Sequence, residues 1–315
     1  MITLAVVVFG YIGYKIDWNN TWQSVKNAYL PLILLAACTM ILAHFIRAYR
    51  WNMLTQTNGY TLNVRRSFYS VMIGYLVNTA TSRGGEVVRC AMTAKSEKTP
   101  VEILIGTVIT ERIIDLFSLI FMFLVCLLLQ FQEMFGFVNT QVLIPLKNNL
   151  IWVVLSLAIG IFLLWIWKKY QVKKPKNEAS FLQKLLNGMN SIFLIKNPIK
   201  FIFLSLLIWF CYWFSLYFQL ESLEITQHLT PGNALGILIF SAIGIIIPVP
   251  GGAGAWGPIA YGMTLIYHLN QSNAESFGIF TIAFSILLQV VVGGICYGLL
   301  FYEMQKNDEN IPANA

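Results

Sequence analysis

Apolar runs of two lengths alternate with polar breaks along the chain, among them a short polar link at 17–28 and a weakly charged loop at 130–149. Residues 29–51, 101–129, 150–167, 201–220 and 277–302 are apolar runs. As helices they are long enough to cross, or nearly cross, a hydrocarbon core of about 30 Å. Residues 2–16 form a shorter run with no basic leader and no small-residue cleavage site, which predicts a first span and not a signal peptide. Three further apolar runs, 67–82, 233–249 and 256–269, are too short to span. The first runs into Thr79-Ala80-Thr81-Ser82-Arg83-Gly84-Gly85-Glu86, and the second halts at Pro248-Val249-Pro250-Gly251-Gly252-Ala253-Gly254. Short runs broken by Gly and Pro predict hairpins that enter and leave on one side of the membrane.

The fold expected is an all-α polytopic membrane protein with about six spanning helices and two re-entrant hairpins in inverted repeat; eight or more full spans is the alternative. One membrane domain, 1–315, divides into a half at 1–129 and an oppositely oriented half at 150–303. Between their spans lies a basic stretch, 168–200, in which Phe181, Leu185, Met189 and Ile192 recur at the spacing of an interfacial amphipathic helix.

Charge sets the orientation. Residues 168–200 carry eight lysines and one acid, Glu178, a surplus equal to the +7 of the whole chain. Positive-inside logic puts that stretch in the cytoplasm and, by counting spans, both termini with it. Residues 47–100 carry eight basic groups against two acids and join it if the first hairpin is re-entrant; residues 221–275, with three acids and no Lys or Arg, face outward. The location expected is the cytoplasmic membrane.

Composition narrows the chemistry. The chain is 57% hydrophobic and 11% charged, with mean hydropathy +0.67. That argues against a soluble catalytic domain within these residues. Five scattered cysteines form no C-x-x-C pair, and His44, His228 and His268 have no metal-ligand spacing. No metal, cofactor or nucleic acid is expected, and no nucleophile–base pair stands out.

All seven arginines lie between Arg47 and Arg112, whereas the 168–200 stretch holds only lysines. Arginine's planar fork binds phosphate bidentately and desolvates more readily than an ammonium. The candidate substrate-binding residues are therefore Arg83, Gly84, Gly85, Glu86 and Arg89 in the first hairpin, Glu111, Arg112 and Asp115 on the next helix, and Arg47 before them. A charge at the centre of a spanning helix costs about 2.5–3.5 kcal/mol on insertion scales, so such a group needs a partner or a task. Thr107, Glu111, Asp115 and Ser118 share one helix face. Arg112 can pair with Asp115, and Arg83 or Arg89 can reach Glu111. Convergence of Arg83, Arg89, Glu111 and Asp115 is the expectation. Two readings stay open: a network that only fixes the helices, and a site for an anionic headgroup. The face holding His44, Arg47 and Trp51 is either an interfacial anchor or the rim of that site. Gly251, Gly252 and Gly254 allow a tight turn or a close backbone approach to substrate.

The ordered set His44-Phe45-Ile46-Arg47-Ala48-Tyr49-Arg50-Trp51, Gly74-Tyr75-Leu76-Val77-Asn78, Arg83-Gly84-Gly85-Glu86-Val87-Val88-Arg89, Glu111-Arg112-Ile113-Ile114-Asp115 and Pro250-Gly251-Gly252-Ala253-Gly254 resembles the flippase-like family. This is the transmembrane region of lysylphosphatidylglycerol synthases, together with stand-alone relatives. The resemblance covers nearly the whole chain. It departs at Ser82, where the family often has proline, and after Gly254, where the family often has an acid. It implies translocation of an anionic phosphate-bearing lipid across the membrane and no enzymatic activity. A phospholipid or polyprenyl-phosphate lipid is the implied partner, with a second copy of the chain or a separate lipid-modifying enzyme as protein partners. The alternatives are a membrane-embedded transferase with Glu86 or Asp115 as base, and an accessory subunit without transport.

Overall fold

A computed structural model describes residues 10, 13–14, 16–140, 144, 188–245 and 249–309. The spans expected at 150–167 and, for the most part, at 2–16 lie outside the described residues, as does most of the basic linker. Within them the protein is an all-α polytopic membrane protein. Its helices are α1 (Trp18–Lys26), α2 (Leu30–Gln56), α3 (Val64–Ala80), α4 (Gly85–Glu97), α5 (Val101–Leu129), α6 (Phe131–Val138), α7 (Pro198–Glu221), α8 (Pro231–Ile245), α9 (Trp256–Leu265) and α10 (Gln271–Glu309). Among the described residues α2, α5, α7 and α10 are long and apolar enough to cross a membrane.

Three stretches differ from the sequence reading. Residues 17–28, expected as a polar link, contain helix α1, because the Asp17 carboxylate caps the Asn20 amide and Asn20 and Thr21 bond Ser272, Asn273 and Ser276 of α10. Residues 130–149, expected as a loop, begin with α6, which follows a backbone break at Gln130. The last span starts before residue 277 and ends after 302, since its polar ends find partners in α1 and in Arg65 and Arg66.

Helices α5 and α7 both run antiparallel to α2, and α10 runs in the same direction as α2. Tyr29 N–H bonds the Ser222 carbonyl at the far end of α7, while Tyr49 and Lys200 meet near the other end, so α2 and α7 are antiparallel. Trp51 near the end of α2 bonds Thr107 near the start of α5. The first end of the bundle therefore carries Arg65, Arg66, Lys95, Lys98, Lys196 and Lys200.

Both short segments fold as helix–break–helix. Asn52 grips Leu62 through its carbonyl and amide, turning α2 into α3. Helix α3 stops at Thr81, and α4 returns from Gly85, whose amide is capped by the Asn78 carboxamide at 2.8 Å. The helices cross so closely that a Cβ on Gly85 would lie 1.8 Å from the Gly74 carbonyl oxygen. In the second pair, α8 and α9 flank a 3-10 turn, Pro250–Ala255, with Gly251 and Gly252 at φ 66° and 71°, a region costly for any other residue. The first pair opens toward the basic end and the second toward the opposite end, where Gln130 bonds Gly232 and Asn233.

Helix α10 runs along both pairs. Trp256 Nε1 bonds the Glu275 carbonyl, Ile286 packs against Gly251, Gly293 against Met72 and Leu76, and Glu303 pairs with Arg65 and Arg66. From Glu275 to Glu303 the helix rises about 42 Å, and the two breaks meet beside Ile286 about 16 Å from its polar start. There, a Cβ on Gly251 would lie 3.8 Å from the Thr79 carbonyl oxygen.

Candidate functional site

Helix α5 has two faces. Ile113, Leu116, Phe117, Ile120, Phe121 and Leu124 are exposed, while Thr107, Glu111, Asp115, Ser118, Met122 and Cys126 are buried at three- and four-residue steps. The polar stripe thus faces the bundle. It meets Arg47 and Arg50 of α2, one turn apart, and Arg89 of α4.

Glu111 Oε1 accepts from Arg47 Nη1 at 3.0 Å and Arg50 Nη2 at 3.2 Å, and its Oε2 accepts from Arg89 Nη2 at 2.7 Å. Asp115 Oδ2 accepts from Arg47 Nη1 at 2.8 Å, and Oδ1 from Arg50 Nη2 at 2.8 Å. Arg50 Nη1 also donates to Ser205 Oγ of α7 at 3.1 Å. The Arg89 guanidinium lies 3.8 Å from the centroid of Trp51, whose indole N–H donates to Thr107 at 2.9 Å and so fixes the ring. All five charged side chains are buried, Arg50 and Glu111 completely. Apolar walls surround them: Trp51, Leu104 and Val108 on one side, Leu54, Ile114 and Phe201 on another.

Among the described residues three guanidiniums face two carboxylates, leaving one positive charge over. An outer pair, Arg112 Nη2 to Glu86 Oε1 at 2.6 Å, is partly exposed and does not change the surplus. The Nε–H groups of Arg47, Arg50 and Arg89 are buried and meet no acceptor among the described residues. Buried donors are nearly always paired, so three orphaned donors in one cationic cluster mark a place suited to an anion. The cleft beside Gly85, Glu86, Arg89 and Arg112 measures about 10 Å³, the room of roughly one water. That is too small for a phosphate group.

Of the nominated residues, the fold brings together Arg47, Arg89, Glu111 and Asp115, with Glu86 and Arg112 at the edge. Gly84 and Gly85 shape the turn beside them. Arg83 is a correction: it stands exposed at the break with φ 67°, outside the buried ion pairs, because the left-handed turn before Gly84 and Gly85 carries it away. The Arg112–Asp115 pairing is loose at 3.7 Å, and Arg112 prefers Glu86. Gly251, Gly252 and Gly254 lie at the second break and not among the charges: Gly251 faces Ile286 and Thr79, Gly254 approaches Gly244, and a Cβ on Gly252 would meet nothing within 4 Å. The anchor reading of the His44 face does not hold, since His44, Arg47 and Trp51 are all buried. His44 sits against Tyr75 and Tyr212.

Sequence reasoning passed over Arg50 and Ser205 as site residues, and placed Trp51 no nearer than the rim of the site. The signal for Arg50 was its three-residue step from Arg47, which puts both on one face opposite the Glu111–Asp115 step.

The family model described as "Lysylphosphatidylglycerol synthase TM region" matches residues 1–293. A similar protein is the UPF0104 membrane protein MJ1595 of Methanocaldococcus jannaschii, 27% identical over 142 residues, 44% of this chain and 40% of that one. Another is the UPF0104 membrane protein MJ1078 of the same organism, 26% identical over 232 residues, 73% of this chain and 94% of that one. The match thus spans well under half of the first relative's length and nearly all of the second's. No solved structure matches.

Proposed function

The chain belongs to the family of the lysylphosphatidylglycerol synthase transmembrane region, and we propose on that footing that it moves an anionic, phosphate-bearing lipid from one leaflet to the other. The observation that supports this most is the surplus of buried guanidinium over carboxylate where three helices meet. A purely structural network has no need of an unbalanced cation, which is costly in a low-dielectric interior.

Glu111 occupies the position of an anion on Arg89. A lipid phosphate carries the same charge and more acceptor oxygens, so it can replace Glu111 there and also take the free Nε–H of Arg89. Arg47 and Arg50 stay bound to Asp115 during the exchange. Helix α4 then swings with Arg89 as one arm of the first hairpin. The two breaks touching beside Ile286 form the barrier between an opening at the basic end and one at the other end, as alternating access requires. In this reading both helix–break–helix pairs are re-entrant, the two halves are inverted repeats, and the basic end with both termini is cytoplasmic. The protein changes the lipid's location and breaks no bond in it; a lipid-modifying enzyme acts before or after it.

Purified protein in liposomes, with a fluorescent phosphatidylglycerol and a quencher confined to one side, tests the proposal. Accelerated exchange of that probe over a phosphatidylcholine probe supports it. Equal exchange of both, or none above empty liposomes, rejects it.

A further inference from the structure

The basic end holds a second polar feature, a cleft of about 350 Å³ between the last turns of α2 and the start of α7. Its lining includes Tyr49, Gln56, Thr57, Lys196, Asn197 and Lys200, and no described residue lining it is a carboxylate. Lys200 Nζ donates to the Tyr49 hydroxyl at 2.6 Å and lies 4.7 Å from the ring centroid. No carboxylate lies within ion-pair distance of Lys196 or Lys200 among the described residues. Two cations, amide and hydroxyl groups and an aromatic wall thus share a space within the size range of ligand pockets.

The surroundings identify the source of the anion. Phe193, Leu194, Ile199 and Ile202, beside the cleft in sequence, are large apolar side chains exposed on the surface. Helix α7 begins at Pro198 and is one of the helices able to cross the membrane, so the cleft lies where polar headgroups give way to acyl chains. A soluble phosphate compound would gain nothing from that apolar border, whereas acyl chains would lie along it.

We infer that this cleft binds the phosphate of an anionic lipid at the membrane surface, as a site separate from the buried arginine cluster. Lys200 precedes Ser205, the α7 partner of Arg50, by about 7.5 Å of helix. No described residue lining the cleft belongs to the ion-pair cluster. Bound lipid would pin the start of α7 to the end of α2.

The test is photolabelling of the whole purified protein with a photoactivatable phosphatidylglycerol, read by mass spectrometry of the peptides covering 49–61 and 195–200. The Lys196→Gln/Lys200→Gln double variant lowers labelling of these peptides roughly tenfold to thirtyfold, as expected for two lysines near an anionic surface. Lys196→Arg/Lys200→Arg keeps the labelling, which separates lost charge from lost folding. Arg89→Gln keeps it as well, so failure of transport and failure of this site are distinguishable. Undiminished labelling in the Gln variant, equal loss in the Arg variant, or equal labelling by a phosphatidylcholine probe overturns the inference. Abolition of labelling by millimolar inorganic phosphate assigns the cleft to a soluble anion and overturns the lipid source.

Discussion

Arg89 Nη2 and Glu111 Oε2, 22 positions apart in sequence, meet at 2.7 Å in an interior walled by Trp51 and Val108. That contact ties the returning arm of the first hairpin to a helix long enough to cross the membrane. In the proposed transport it is also the bond that opens to admit the lipid phosphate.

Glu111 answers three arginines, so Glu111→Gln leaves an uncompensated buried charge. Removing one partner of a buried pair costs about 3–5 kcal/mol. Thermal or denaturant unfolding of the purified protein in detergent should show a loss of that order. A variant as stable as the wild type would mean that these carboxylate contacts do not hold the bundle.

The crossing of α3 and α4 depends on two glycines. Gly85→Ala places a methyl 1.8 Å from the Gly74 carbonyl oxygen, so the hairpin must spread. A destabilisation of at least about 1–3 kcal/mol is expected, the usual cost of overpacking. Gly257→Ala, with nothing within 4 Å of its added Cβ, serves as the control and should be neutral or better. Similar behaviour of the two variants would contradict the close crossing.

Lys98 ends α4 with φ 52°, a left-handed conformation that suits glycine. Lys98→Gly should raise stability by about 0.5–1 kcal/mol. A loss of that size would show that the Lys98 side chain matters more than its backbone.

Glu303 pairs with Arg65 at 2.8 Å and Arg66 at 3.0 Å near the end of α10. These groups are partly exposed, so Glu303→Gln should cost no more than about 1 kcal/mol, and less at high salt. An effect as large as that of Glu111→Gln, or one unmoved by salt, would place this pair in a dry interior.

Hydropathy with Gly and Pro placement marked α2, α5, α7 and the two breaks, because an apolar run too short to span and ended by Gly or Pro admits few folds; the polar helix α1 and the short α6 left no such signal. The Glu111–Asp115 face was legible for a similar reason: four-residue spacing on a spanning helix puts both groups on one side. The arginines were harder. Arg83 and Arg89 flank the same glycines and look equivalent on paper, yet a positive φ at Arg83 turns one outward while helix α4 carries the other inward. That difference is set by the Asn78–Gly85 cap and the Gly74–Gly85 crossing, which are tertiary contacts. For the face holding Trp51, an interfacial anchor and a site rim stayed open, because arginines near a helix end can snorkel to headgroups. Trp51 is a buried platform under Arg89, a role fixed by where α4 packs.

The most direct measurement is the initial rate of leaflet exchange of fluorescent phosphatidylglycerol in liposomes bearing wild-type protein or Arg89→Gln, at equal folded content. The account predicts a fall of at least tenfold for the variant, about 1.4 kcal/mol of lost stabilisation along the path, with the slow phosphatidylcholine rate unchanged. An Arg89→Gln protein that exchanges phosphatidylglycerol as fast as the wild type would contradict it.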